Sequence, residues 1–102
     1  MIPTSIKSNY AVMFDIDDTL ISSVTGKRID EAFNLYVKAK NSGCKIMIIT
    51  ARPGSYENVR WTRDQLNDWY VEYNEVMFTS PQGKYTYKRD SGYVYLLSVG
   101  EM

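Results

Sequence analysis

The chain has no histidine, and no other gap in its composition removes as much chemistry. Without imidazole there is no Ser-His or Cys-His nucleophile pair, no histidine zinc site and no phosphohistidine. A single cysteine, Cys44, excludes an internal disulfide and fits a reducing compartment. Its spacing from Arg52 is too long for a cysteine-phosphatase loop. No apolar run approaches the roughly 20 residues that span a bilayer. The opening "MIPTSIKSNY" lacks the basic-then-apolar pattern of a secretion signal. A soluble, cytoplasmic protein with no membrane partner is expected. Neither sign of charge prevails, since 12 Lys and Arg balance 12 Asp and Glu. That argues against a dedicated nucleic-acid surface, which is usually clearly basic. Internal repeats, linkers and low-complexity segments are also missing.

What is present suits one domain. A chain of 102 residues, 44% hydrophobic and 24% charged, can bury a modest core without staples. Seven of the nine tyrosines fall from Tyr56 onward, and they read as half-buried amphipathic residues. The helix tryptophans Trp61 and Trp69 read as packing residues.

Apolar runs without alternation mark buried parallel strands. Residues 11–16 and 45–49 are of this kind, with a third, short strand expected over 75–78 and a fourth over 93–99. Between the first two, "LISSVTGKRI" reads as a small hairpin or tight loop. It is followed by a helix whose inner face is Ile29, Ala32, Phe33, Tyr36 and Val37. A second helix, capped by Ser55, runs to about residue 70, with Val59, Thr62, Leu66, Trp69 and Tyr73 inward. "PQGKYTYKRDSG" is polar and reads as a loop. The order β-α-β-α-β-loop-β predicts an α/β fold, a three-layer Rossmann-like sandwich with a mostly parallel central sheet.

In such sheets ligands bind beyond the carboxyl ends of the strands. Asp15 and Asp17 of "YAVMFDIDDTLIS" lie beyond the first strand, Thr50 at the end of the second, and Gly100 and Glu101 after the last. Crowded carboxylates repel one another unless a cation neutralises them, and oxygen-only ligands suit Mg²⁺. The first acid can attack phosphorus and the second can move the proton. A hydroxyl and a lysine can hold the phosphoryl oxygens. Asp18 reads as an exposed or turn-capping acid.

"DIDDT" after an apolar strand, "IMIIT" ending in Thr50, Lys88, and "LLSVGE" together resemble the haloacid dehalogenase superfamily of aspartate-nucleophile phosphohydrolases. The resemblance spans residues 10–101. It implies a Mg²⁺-dependent phosphatase with Asp15 as nucleophile and metal ligand. Asp17 would be general acid/base, with its carbonyl on the metal. Thr50 and Lys88 would hold the phosphoryl group, with Lys84 competing for the lysine role. Thr19 would support the loop and Glu101 would complete the metal site. Arg52, read from its place alone, either contacts substrate or simply sits in the loop before Pro53. "LISSVTGKRI" would be the flap beside the site. Neither interval between the motifs has room for a cap. A single capless domain over 1–102 is therefore expected, acting on a phosphorylated substrate that is large or exposed.

The sequence departs from the family where Gly100-Glu101 replaces the usual Gly-Asp and no second acid follows. It resembles the front part of a somewhat longer protein. The competing expectation is a phosphate- or partner-binding domain without turnover. A phosphoacceptor receiver domain fits poorly, because the third strand is followed by Thr79 and Ser80 and not by an acid.

Overall fold

The structure, a computed structural model, describes residues 9–100, with the side chains of residues 81 and 84 left aside. Seven elements alternate: β1 (Tyr10–Phe14), α1 (Asp30–Asn41), β2 (Lys45–Thr50), α2 (Tyr56–Asp68), β3 (Glu75–Phe78), α3 (Pro81–Asp90) and β4 (Val94–Val99). The strands form one four-stranded sheet in the order β3-β2-β1-β4, and every pair is parallel. The fold is α/β and compatible with a Rossmann-like arrangement.

The unbroken apolar runs became the two central strands, because only a strand flanked on both edges and covered on both faces accepts apolar residues at every position. Val12, Phe14, Ile46 and Ile48 pack with Ala32, Phe33, Tyr36 and Ala39 of α1 and Leu66 of α2 in one cluster. Ala11, Met13, Met47 and Ile49, the alternate residues of the same strands, are buried too. The hydroxyl of Tyr36, buried within this cluster, donates to Glu72 O (3.2 Å) and accepts from Glu72 N (2.7 Å). These bonds tie α1 to the chain entering β3 and leave the phenol satisfied.

α1 turns slightly differently from expectation. Its inward residues are Ala32, Phe33, Tyr36 and Ala39, while Val37 is 49% exposed. At 100° per residue, an arc centred on Ala32, Tyr36 and Ala39 leaves Val37 on its outer flank. α2 begins as expected, with Ser55 Oγ accepting from Asn58 N.

The larger correction concerns residues 81–90, which form a helix and not a loop. Ser80 caps it by accepting from Gly83 N, a proline occupies the first turn, and Lys88 and Arg89 lie in the last turn, as the dipole favours. The apolar stripe that would have announced this helix is missing, because polar bonds hold it in its place. Tyr87 Oη donates to Glu75 (2.8 Å), and Ser91 Oγ meets Tyr95 Oη (3.0 Å). Burial, followed by the Glu75 bond, pushes the Tyr87 phenol well above its usual range.

After β1 the chain moves by way of α1 to β2 and by way of α2 to β3, then returns through α3 to β4 on the other side of β1. The strand order therefore reverses between β1 and β4, and a crevice opens at the carboxyl ends of strands at such a point.

Candidate functional site

The loop leaving β1 is built around Ile16. Its side chain is fully buried, and its carbonyl accepts from the amides of Thr19 (3.2 Å), Leu20 (3.0 Å) and Ile21 (3.0 Å). A buried Ile16 sends its neighbours on both sides, Asp15 and Asp17, toward the rim. This is the local reason that "DID" presents two acids together. Asp15 N donates to Val99 O (3.0 Å), so the ends of β1 and β4 stay joined past the last strand residue. Asp15 Oδ1 accepts from Ile16 N at 2.8 Å.

Asp15, Asp17, Asp18, Thr50, Ala51, Arg52 and Pro53 line one open cleft of about 740 Å³. Residues 35 positions apart thus meet above the carboxyl ends of β1 and β2. Thr50 is buried, and its hydroxyl accepts from Arg52 N (3.1 Å), which turns the chain across the cleft floor.

Arg52 is the most heavily bonded side chain at the site. Its Nε and Nη2 donate to the two oxygens of Asp17 at 2.9 and 2.7 Å. Nη1 donates to Thr62 Oγ1 (3.1 Å) and to Gln65 Oε1 (2.9 Å), both on α2. Its Cζ lies 4.5 Å from the ring centroid of Trp61. The bidentate pair fixes the orientation of Asp17 as well as its charge. Sequence reasoning missed Thr62, Gln65 and Trp61 as supports of this clamp. Trp61, read as helix packing, is 54% exposed and packs against the Arg52 guanidinium. Its position off the inward stripe of α2 was the available signal.

Asp18 is exposed, and its carboxylate accepts from Ser23 N (2.9 Å) and Ser23 Oγ (2.8 Å). These bonds, the backbone one first, hold its carboxyl below the usual carboxylate value and tie the flap to the loop. Of the two readings of this segment, hairpin or tight loop, the structure shows a short hairpin. Ile21 bridges Arg28 antiparallel, and Ser22 N donates to Lys27 O (2.8 Å).

Gly100, which the sequence marked only as part of a terminal motif, lies against Asp15 and Thr19 of the loop. A Cβ placed on it would come within 2.6 Å of Asp15 Cβ and 3.2 Å of Thr19 Oγ1, and its φ of +138° is one that L side chains rarely adopt. Thr19 itself is buried. Replacing Gly100 with alanine must therefore push Asp15 aside. The expected cost is about 1–3 kcal/mol of stability, together with a roughly hundredfold loss of any reaction at Asp15. Chemical denaturation and rate measurements on the same preparation check both. A variant as stable and as active as the parent would mean that the close approach does not constrain Asp15.

Lys88 lies outside this cleft. Its ammonium donates to Ser98 Oγ and sits 5.3 Å from the Tyr95 ring centroid. Glu101 lies outside the described residues. Among the described residues no group of three or more acidic, cysteine or histidine side chains is gathered as a metal cage. No helix among them is long and apolar enough to cross a membrane.

Comparisons with family models, with curated proteins and with solved structures return no match. What the cleft can do has to be argued from its own residues.

Proposed function

We propose that this chain is a capless, haloacid-dehalogenase-like domain with a three-layer α/β core, and that it hydrolyses phosphomonoesters through an aspartyl-phosphate on Asp15. One observation carries the proposal: two acids of a strand-end DxDxT loop share an open cleft with the strand-end hydroxyl Thr50. In the first step a carboxylate oxygen of Asp15 attacks phosphorus while the ester P–O bond breaks. The leaving oxygen takes a proton from the carboxyl of Asp17. In the second step water attacks the phosphorus of the acyl phosphate, Asp17 accepts the water's proton, and phosphate and Asp15 are released. Thr50 orients a phosphoryl oxygen. The bidentate Arg52 pair fixes the orientation of Asp17 and favours its ionised, proton-accepting form.

The oxygen donors fit Mg²⁺, which commonly takes one or two carboxylates and completes its shell with water and phosphate. Asp15 and the backbone carbonyl of Asp17 would hold it, with Glu101 the third candidate. Bound there, the ion would offset negative charge as the phosphoryl group transfers.

Helix α3 alters the lysine assignment. It starts at the carboxyl end of β3, so residue 84 lies about one turn nearer the rim than residue 88. Lys84 is therefore the better candidate for neutralising charge between Asp15 and the phosphate.

The direct test is phosphate release from a generic aryl phosphate in Mg²⁺ buffer, which EDTA should abolish and added Mg²⁺ restore. Release that persists in EDTA would exclude the metal-dependent mechanism. A second reading, a phosphate- or partner-binding domain without turnover, is favoured by the bidentate engagement of Asp17 and by the lack of a third acid among the described residues. It requires anion binding with no release over hours at high protein concentration.

A further inference from the structure

Beside the acidic cleft lies a second cavity of about 440 Å³, between the flap residues Ser22, Ser23 and Gly26 and the α2 residues Asn58, Trp61 and Gln65. The two cavities share Asp17, Arg52 and Pro53. The second space is thus within reach of the ester substituent of a phosphoryl group held over Asp15. The volume is within the range of small-ligand clefts.

The chemistry of the walls is specific. Trp61 is 54% exposed at the cavity, while the Arg52 guanidinium is stacked against its ring at 4.5 Å. Arg52 is itself immobilised by Asp17, Thr62 and Gln65, so the indole rests on a rigid support. The guanidinium charge is matched by Asp17, and the Ser23 hydroxyl is committed to Asp18. Neither is left to receive a second anionic group. The side-chain amide of half-buried Asn58 has no hydrogen-bond partner among the described residues, and it can address the edge of a polar ring. The bland alternative is that Trp61 merely covers the aliphatic stem of Arg52.

Resting on the phosphohydrolase reading, we infer that the Trp61 cavity is the leaving-group subsite and takes a neutral, planar aromatic ring. The substrate class is then aryl or nucleoside monophosphates, in preference to alkyl or polyanionic esters.

Phenylphosphonate and methylphosphonate separate the ring from the phosphoryl group without turnover. In Mg²⁺ buffer, with binding followed by calorimetry, phenylphosphonate should bind about tenfold or more tightly, the scale of stacking one ring on an aromatic side chain. Trp61→Ala should bring its affinity down to that of methylphosphonate, and Trp61→Phe should restore most of the difference. Equal affinities in the parent chain would overturn the subsite. So would a Trp61→Ala effect that weakens both probes alike, since Trp61 would then act only by supporting Arg52. Adenosine, which has a ring and no phosphate, keeps the two readings apart. If neither phosphonate binds but adenosine shifts the Trp61 indole N–H resonance, the phosphohydrolase reading fails and the ring site stands. If adenosine also leaves that resonance unmoved, the ring site falls with it.

Discussion

Asp15→Asn should lower phosphate release by at least about 10⁴-fold, the scale on which removal of a catalytic nucleophile is felt. The amide is isosteric with the carboxylate, and its oxygen can still accept the Ile16 amide bond that Asp15 accepts at 2.8 Å. The loop therefore keeps that anchor while the attacking anion is removed. Asn can revert slowly to Asp by hydrolysis, so Asp15→Ala serves as the stricter companion. Circular dichroism should show both variants folded. An acid quench during turnover of a radiolabelled ester should trap label on the parent chain as a hydroxylamine-sensitive acyl phosphate, with none on either variant. An Asp15→Asn chain that turns over at the parent rate would sink the covalent mechanism outright, whatever the metal does.

The second large effect separates two lysines four residues apart. Lys84→Met should cost about 10²–10³ in rate, the range for losing one preorganised charge or donor at a reacting centre. Lys88→Met should stay within about tenfold of the parent, since its ammonium is already held by Ser98 and lies against Tyr95. The difference follows from the helical state of residues 81–90. Along the chain Lys88 is the lysine nearer the last strand. In a helix that leaves the rim at Ser80, it is the later lysine that is carried away, by about 6 Å per four residues. The reverse outcome, a large loss for Lys88→Met and a small one for Lys84→Met, would return the role to Lys88.

Much of the scaffold could be read from residue type alone. Unbroken runs of Val, Ile, Met and Phe have few places to go except a doubly covered sheet centre, and β1 and β2 are found there. Ser55 caps α2 as its hydroxyl and position suggest, and β3 spans the four residues expected. The loop acids were legible because they directly follow an apolar run whose carboxyl end faces the ligand-binding edge of such a sheet. α3 was not legible, since its polar residues and Gly83 leave no stripe to detect. A Cβ on Gly83 would meet the Thr79 hydroxyl, which would have to turn away. The inward position of Ala39 in place of Val37 depends on a small rotation of α1 that no local preference specifies.

By itself, then, the sequence determined which segments form a parallel α/β core and that Asp15, Asp17 and Thr50 stand at strand ends, because burial of apolar runs and the period of two along a strand are local properties. Only the tertiary structure decided that Arg52 grips Asp17, that Trp61 stands exposed on Arg52, and that Gly100 presses on Asp15. Those relations join residues 9 to 85 positions apart. They depend on strand order and helix placement, which are set by the packing of the whole chain and not by any single segment of it.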